Sequence, residues 1–351
     1  MKPKVLVTFD SMKDINRGYY SFGKGLGDAL IKQNNGRFDL AYYLFKKTPT
    51  LFNNLVKIVY RWFADQIFFR KRNDFDVVHF SDQRCRLPPW NVNAKKVITI
   101  HDLNKVHLKK SKPHRIIAYL NKLNKRVSHC DRVVTISQFV ANDVERYLPA
   151  AKGKISVIHN GAEKLQVKPS HQPNFIPDRP YLFTIGLMSP QKGFHYLPAL
   201  LNGNDYGLVI AGIETTHKAV ILEEAAKYNC TDRVHLVGEI SNDDKAWYYA
   251  HCLALVFPSR TEGFGLPVIE AMHLGKPAFL SKFTSLPEIG GDAAYYFDSF
   301  DPAHMQKVFS DGMKHFKENN GAEKSMAQAA KFSWEKCADA YLNLYNELLG
   351  K

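Results

Sequence analysis

The sequence predicts an α/β protein built of two tandem Rossmann-like domains, and three observations lead there. Short apolar strands alternate with helical stretches along the whole chain, the pattern of parallel sheets covered by helices on both faces. A chain of 351 residues is too long for one ordinary core. The alternation breaks once, over Glu163 to Arg179, in a polar stretch with three prolines and neither period, and then restarts.

In the first half, strands are read at KVLVTFD from Lys4, DLAYYLF from Asp39, DVVHFSD from Asp76, KVITIHD from Lys96, RVVTIS from Arg132 and KISVIHNG from Lys154. The prolines of 163–179 mark an interdomain linker, which puts the first domain at 1–165 and the second at 166–332. Strands resume at YLFTIG from Tyr181, YGLVIAG from Tyr206, RVHLVG from Arg233, LALVFPS from Leu253, PAFLS from Pro277 and AAYYFD from Ala293. Open α/β sheets bind ligands at the carboxyl ends of their strands. LALVFPS ends at Ser259, and the next helix is expected to start near Pro267, since proline suits the first helical position. The loop RTEGFG between them carries Glu262 on its glycine turn, and Glu270 comes one turn into the helix. Free N–H groups and the helix dipole at such a corner favour phosphate.

Composition narrows the class. Hydrophobic residues at 45% and charged residues at 23% describe a globular chain. No apolar run reaches the roughly 18 residues of a bilayer span, and MKPKVLVTFD enters a strand pattern with no signal peptide, so a cytoplasmic location is expected. Five scattered cysteines without C-x-x-C or His/Cys spacing make a zinc site or disulfide frame unexpected. The formal charge of +14 is unevenly distributed: Met1 to Ser170 carries +19 and the remainder −5. That asymmetry suggests an anionic partner for the first half, whether lipid surface, nucleic acid or phosphorylated substrate.

FPSRTEGFGLPVIEAMHLGKP from Phe257, SLPEIGGDAAYYFD from Ser285, TIGLMSPQKG from Thr184, TISQFVANDV from Thr135, KISVIHNGAE from Lys154 and FSWEKCADAYLNLY from Phe332 together resemble the retaining glycosyltransferases of the GT-B fold, family-4 type (glycosyltransferase group 1). The resemblance implies two Rossmann-like domains facing a central cleft, with a last helix, 333–351, returning to the first. It implies transfer of a hexose from a nucleotide diphosphate sugar to a saccharide or lipid-linked glycan acceptor, in cell-surface polysaccharide or lipopolysaccharide synthesis, without metal or cofactor.

Site roles follow from the same resemblance. Glu262 contacts the donor sugar, and Glu270 accepts hydrogen bonds from the ribose hydroxyls, which an ionised carboxylate does readily. The corner Gly263, Phe264, Gly265 and Leu266 holds sugar hydroxyls or phosphate through its amides, the Phe264 ring reading better as packing. Lys192, in the loop after Gly186, neutralises the diphosphate leaving group. Relatives usually carry an arginine where this chain has Leu187, and Arg260 substitutes by proximity alone. His101, ending KVITIHD, takes a donor-sugar contact, against a plain reading as a buried histidine bonded to a loop carbonyl. Ser137 reads as a helix cap, and Asn160 and Gly161 as a turn. Asn16 to Leu30, NRGYYSFGKGLGDAL, stands where relatives have a glycine-rich loop and reads as a flexible loop on the acceptor side.

Other classes fit less well. The chain lacks G-x-G-x-x-G after its first strand and lacks G-x-S-x-G, and two acids on one corner suit a glycosidase poorly. A basic binding protein for nucleic acid or anionic glycan that keeps the fold without transfer activity is the alternative; no nucleic-acid module supports it and no nucleic acid is expected. Two stretches favour an anionic membrane surface. Lys105 to Arg126 holds eight Lys or Arg and no acid, with Ile116, Ile117, Leu120 and Leu123 at helical spacing. Asn54 to Arg72 interleaves Trp62, Phe63, Phe68 and Phe69 with Arg61, Arg70, Lys71 and Arg72. Taken alone, both stripes read better as core faces of helices, but that leaves the basic faces unexplained, and an interfacial helix accounts for both.

Overall fold

The computed structural model describes residues 1–12, 18–45, 52, 55–107 and 112–350. The chain divides into two compact units, Met1–Gly161 with Ser333–Lys351, and Ala162–Phe332. The first crossing falls at 161/162, ahead of the expected boundary at 165.

Unit 1 runs β1 (Lys4–Thr8), α1 (Gly18–Gln33), β2 (Asp39–Leu44), β3 (Lys57–Tyr60), β4 (Val77–Phe80), β5 (Lys95–Ile100), α2 (Asn104–His107), α3 (Pro113–Ser128), β6 (Arg132–Thr135), α4 (Gln138–Tyr147) and β7 (Ile155–Val157). Its described strands form one parallel sheet in the order β3-β2-β1-β4-β5-β6-β7. Unit 2 runs β8 (Tyr181–Ile185), β9 (Gly207–Ala211), α5 (Lys218–Lys227), β10 (Val234–Gly238), α6 (Asn242–His251), β11 (Ala254–Phe257), α7 (Leu266–His273), β12 (Ala278–Ser281), α8 (Leu286–Gly290), β13 (Tyr295–Phe297), α9 (Pro302–Glu318) and α10 (Gly321–Ala329). Its parallel sheet has the order β10-β9-β8-β11-β12-β13. The strands VVHF of β4 and ALVF of β11 are buried at every position, as strands covered on both faces must be. In each sheet the order reverses once, between β1 and β4 and between β8 and β11. At such a reversal the connections leave in opposite directions and open a crevice at the carboxyl ends of the strands.

The last helix, α11 (Trp334–Leu348), belongs to unit 1 and lies against α1. Ser333 caps it by accepting from Lys336 N. Its buried face brings Tyr341 and Tyr345 to a polar network under the sheet. His79 Nδ1 meets Tyr345 Oη at 2.7 Å, His79 Nε2 meets Thr99 Oγ1 at 2.8 Å, and Thr99 Oγ1 meets Tyr341 Oη at 2.8 Å. Burial lowers the His79 pKa to about 3, so the ring is neutral.

Three expectations are corrected. Asn16 to Leu30 is not a flexible loop where it is described, for α1 starts at Gly18. Its glycines give close approach: a Cβ on Gly25 would lie 2.2 Å from the Trp334 ring, and one on Gly27 2.4 Å from Phe52. Asn54 to Arg72 forms no helix among its described residues. It gives the edge strand β3 and a short 3₁₀ turn, Phe63–Gln66, because the short KIVY pairs with β2 and Asp65 accepts from both Tyr43 Oη and Trp62 N. Phe69 is buried, whereas Phe63, Ile67 and Phe68 are exposed, Ile67 at 85%. The proline-bearing stretch after 162 is no free linker but a strap held on unit 2. Lys168 pairs with Asp243 at 2.6 Å, His171 with Asp244 at 2.7 Å, and Tyr248 Oη donates to Phe175 O at 2.7 Å.

In the basic stretch from Lys105, the residues 108–111 lie outside those described. On α3 only Leu123 of the four apolar positions is buried; Ile116 and Leu120 are half-buried and Ile117 is exposed.

Candidate functional site

The reversal in the second sheet gathers the carboxyl ends of β8 and β11. After β8 the backbone turns through Gly186, φ 150°, beside Gly212, φ 114°. A Cβ on Gly212 would lie 2.2 Å from Gly186 O, so the two backbones approach as only glycine permits. Leu187 follows, 44% exposed. The chain returns through Lys192 to Gly193, φ 70°, where a Cβ would lie 2.4 Å from Pro258 O. The β8 and β11 loops are joined by Arg260 N donating to Gln191 O at 2.7 Å.

Lys192 forms an ion pair with Glu262, both side chains mostly buried. The Lys192 ammonium also lies 5.1 Å over the Phe257 ring. Arg260 is exposed and reaches the stacked pair Tyr196 and Phe300, 5.7 Å from the Phe300 centroid. Lys192 and Glu262 are therefore paired where the β8 and β11 loops meet, while the Arg260 guanidinium is turned to Tyr196 and Phe300.

The glycine corner is braced from the loop after β12. Thr284 Oγ1 accepts from Glu262 N at 3.0 Å, and Ser285 Oγ meets Glu262 O at 3.1 Å and Phe264 O at 2.9 Å. The Phe264 ring is buried edge-on against Phe332, the packing role. Gly265 precedes the helix with φ 116°, and α7 begins at Leu266, with Pro267 second rather than first. One turn on, Glu270 is buried and both its oxygens are held from α6. Lys245 Nζ donates to Oε1 at 2.7 Å and Tyr249 Oη to Oε2 at 3.1 Å. Two contacts leave further lone pairs on the carboxylate for a ligand hydroxyl. Lys245 and Tyr249 escape sequence reasoning, since nothing near them marks them; the capping box Ser241/Asp244 that starts α6 is the nearest signal. Ser285 was within reach, as part of the S-L-P-E segment.

His101 belongs to unit 1, at the end of β5. It is 7% exposed, and its Nε2 lies 2.8 Å from Ser81 O. A carbonyl only accepts, so Nε2 carries the proton and Nδ1 is left as an acceptor. Burial lowers its pKa, so the ring is neutral. Ser137 Oγ accepts from Val140 N at 3.2 Å as the cap of α4. Asn160 is buried, and Gly161 lies so close to Trp334 N that a Cβ there would stand 2.2 Å from it. Among the described residues no group of three or more His, Cys, Asp or Glu is arranged to hold a metal, and no helix is long and apolar enough to cross a membrane.

Comparison with known proteins bears on the family and the fold. The family model described as "Glycosyl transferases group 1" matches residues 167–332, and "Glycosyltransferase Family 4" matches 29–164. The chain is similar to the O-antigen chain mannosyltransferase B of Escherichia coli, 27% identical over 72% of this chain and 71% of that one. It is similar to the serotype-specific mannosyltransferase WbdA of Escherichia coli, 29% identical over 77% of this chain but only 36% of the relative's length. Among solved structures, Anabaena Alr3699/HepE in complex with UDP superposes with a TM-score of 0.75 at 16% identity, over 98% of this chain and 100% of that one, a likeness of fold.

Proposed function

The chain belongs to the group 1 glycosyltransferases and has the GT-B fold, and from that premise we propose a retaining, metal-independent hexosyltransferase. Its donor is a nucleotide diphosphate sugar and its acceptor a saccharide or lipid-linked glycan of cell-surface polysaccharide or lipopolysaccharide synthesis. The observation that carries the reading is the Lys192–Glu262 pair at the reversal of the second sheet. The relatives' naming as mannosyltransferases supports a hexose.

Each group has a task that its position suits. As the glycosidic bond breaks, negative charge grows on the departing diphosphate; Lys192 and Arg260 are the countercharges. Arg260 takes the part of the arginine replaced by Leu187. Glu262, drawn off Lys192 by the donor, accepts from the sugar hydroxyls. Glu270, oriented by Lys245 and Tyr249, accepts from the ribose. The corner Gly263 to Leu266 lets the donor approach the backbone. His101, neutral, offers Nδ1 to a sugar hydroxyl. The departing phosphate oxygen takes the acceptor proton on the face the acceptor attacks, which retains configuration.

We further assign a peripheral position on anionic lipid at the cytoplasmic face. The acid-free α3 and the exposed Trp62, Phe63, Ile67 and Phe68 beside Arg61 and Arg70 support it. The test of the central reading is a screen of nucleotide sugars for thermal stabilisation and hydrolysis, followed by NMR of the anomeric product. Stabilisation by at least one donor and a retained anomer are expected. No donor binding, or an inverted product, would overturn it.

A further inference from the structure

The loop between β12 and α8 holds one residue in a backbone conformation that its type does not favour. Among the described residues, the non-glycine positions with positive φ are Asn35, Phe52, Asn229, Thr284 and Asn320. Asparagine tolerates that region, whereas a β-branched side chain enters it only at a cost, so Thr284, at φ 59°, must be held there by its surroundings. Its hydroxyl shows how. Thr284 Oγ1 donates to Phe283 O at 2.8 Å, which uses its one proton and turns a lone pair to Glu262 N, 3.0 Å away. Ser285 Oγ, the next residue's hydroxyl, donates to Glu262 O at 3.1 Å. One dipeptide thus holds both the amide and the carbonyl of Glu262, on a corner that lies outside helix and strand and continues into glycine.

We propose that Thr284 is a positioning residue for transfer: its hydroxyl, kept at positive φ at a cost in stability, fixes the backbone from which the Glu262 carboxylate reaches the donor sugar. The assignment rests on the transferase reading above and adds a residue that acts through Glu262. In the structure the carboxylate itself is anchored by Lys192. That anchor is lost when Lys192 turns to the diphosphate, and the place of the carboxylate then depends on where the chain carries its Cα. Gly263, the next residue, gives the corner no stiffness of its own. Glycine at 284 would take this φ freely but brings no oxygen, so the strain comes with the hydroxyl.

Thr284→Ser, Thr284→Gly and Thr284→Ala, compared with the wild type in the full chain, separate the oxygen from the φ. The measurements are turnover of GDP-mannose and UDP-glucose, calorimetry with GDP and UDP, and melting temperature. Turnover should follow the oxygen: the glycine and alanine variants should each lose about tenfold in kcat with nucleotide affinity unchanged, and the serine variant should recover most of the rate. Melting temperature should follow φ instead. The glycine variant is expected to melt a few degrees above the alanine variant, the reverse of their order where φ is negative. In a Glu262→Ala background, Thr284→Gly should lower the residual rate no further, since Thr284 acts through Glu262. Wild-type turnover in the glycine and alanine variants, a further loss in the Glu262→Ala background, or an alanine variant that melts as high as the glycine one would each overturn the positioning role and leave the transferase reading standing. A wild type that turns over neither donor would count against the transferase reading, and the positioning role would fall with it.

Discussion

Lys192 and Glu262 neutralise one another at the reversal of the second sheet, so two groups with different tasks toward the donor begin as partners. Glu262→Ala should reduce transfer to a small residual rate while nucleotide binding persists, and Lys192→Ala should lower kcat by about 10² at saturating donor, the scale for removing a charge stabiliser. Because the two share one interaction, the double variant should fall short of the summed effects. Steady-state kinetics on the four proteins of the cycle, with melting temperatures alongside, decide it. Strict additivity would place the residues in independent roles.

Glu270 depends on α6 for its orientation. Glu270→Ala is expected to weaken nucleotide binding by about 1 to 3 kcal/mol, the range for a lost charged hydrogen bond. Lys245→Met should reproduce part of that loss in donor KM with little change in kcat, and Lys245→Arg should restore some of it. Calorimetric titration with nucleoside diphosphate, together with kinetics, separates this from a stability effect, which would leave affinity untouched.

The neutral, buried His79 predicts an acid weakness. Its pKa is about 3 folded, against about 6.5 unfolded, so below pH 6.5 the unfolded chain binds a proton that the folded chain refuses. Stability from this group is present above pH 6.5 and is lost as pH falls toward 3, with a limiting slope of about 1.4 kcal/mol per pH unit. His79→Gln should be less stable at pH 7.5 but show a shallower decline between pH 6.5 and 5. Chemical denaturation at several pH values reads the slopes, and parallel slopes would contradict the account.

Vesicles containing anionic lipid should hold the protein at low salt and release most of it as salt rises, since the Debye length is about 8 Å at physiological ionic strength. Neutralising Arg115 on α3 and Lys112 at its N-cap, with Lys109 and Lys110 before them in sequence, should remove the salt-sensitive part. Phe63→Ser with Ile67→Ser should lower binding without changing its salt dependence. Flotation assays measure both. Equal binding to neutral vesicles would refute a charge-led attachment.

The buried strands were the legible part of the fold, because parallel strands covered on both faces read as unbroken apolar runs; KVITI and LVIA could be little else. β3 was hidden because an edge strand of four residues, KIVY, with Lys57 and Tyr60 outward, carries too little pattern against the aromatic run beside it. Glycines in α1 signal flexibility in a one-dimensional reading, and only the neighbouring Trp334 and Phe52 reveal that they make room. At the site, the corner from Arg260 to Glu270 is continuous in sequence and so can be read there. Lys245 and Thr284 are not legible, because their roles arise from contacts between segments that no local spacing encodes.

The chain leaves unit 1 after Gly161 and re-enters it at Ser333, and the boundary residues of unit 2 are hydrogen-bonded, Ala162 N to Phe332 O at 3.3 Å. One unit is thus spliced into the other, which orders events on the ribosome. Residues 162–332 emerge as an uninterrupted stretch and can fold as soon as they clear the exit tunnel. Unit 1, although synthesised first, must wait for Tyr341 and Tyr345 to reach His79 and Thr99, leaving the apolar sheet face that α11 covers open for the time taken to make the intervening residues. A joined-end version of 162–332 expressed alone should therefore fold, whereas 1–161 should become soluble only when a peptide carrying 333–350 is supplied with it.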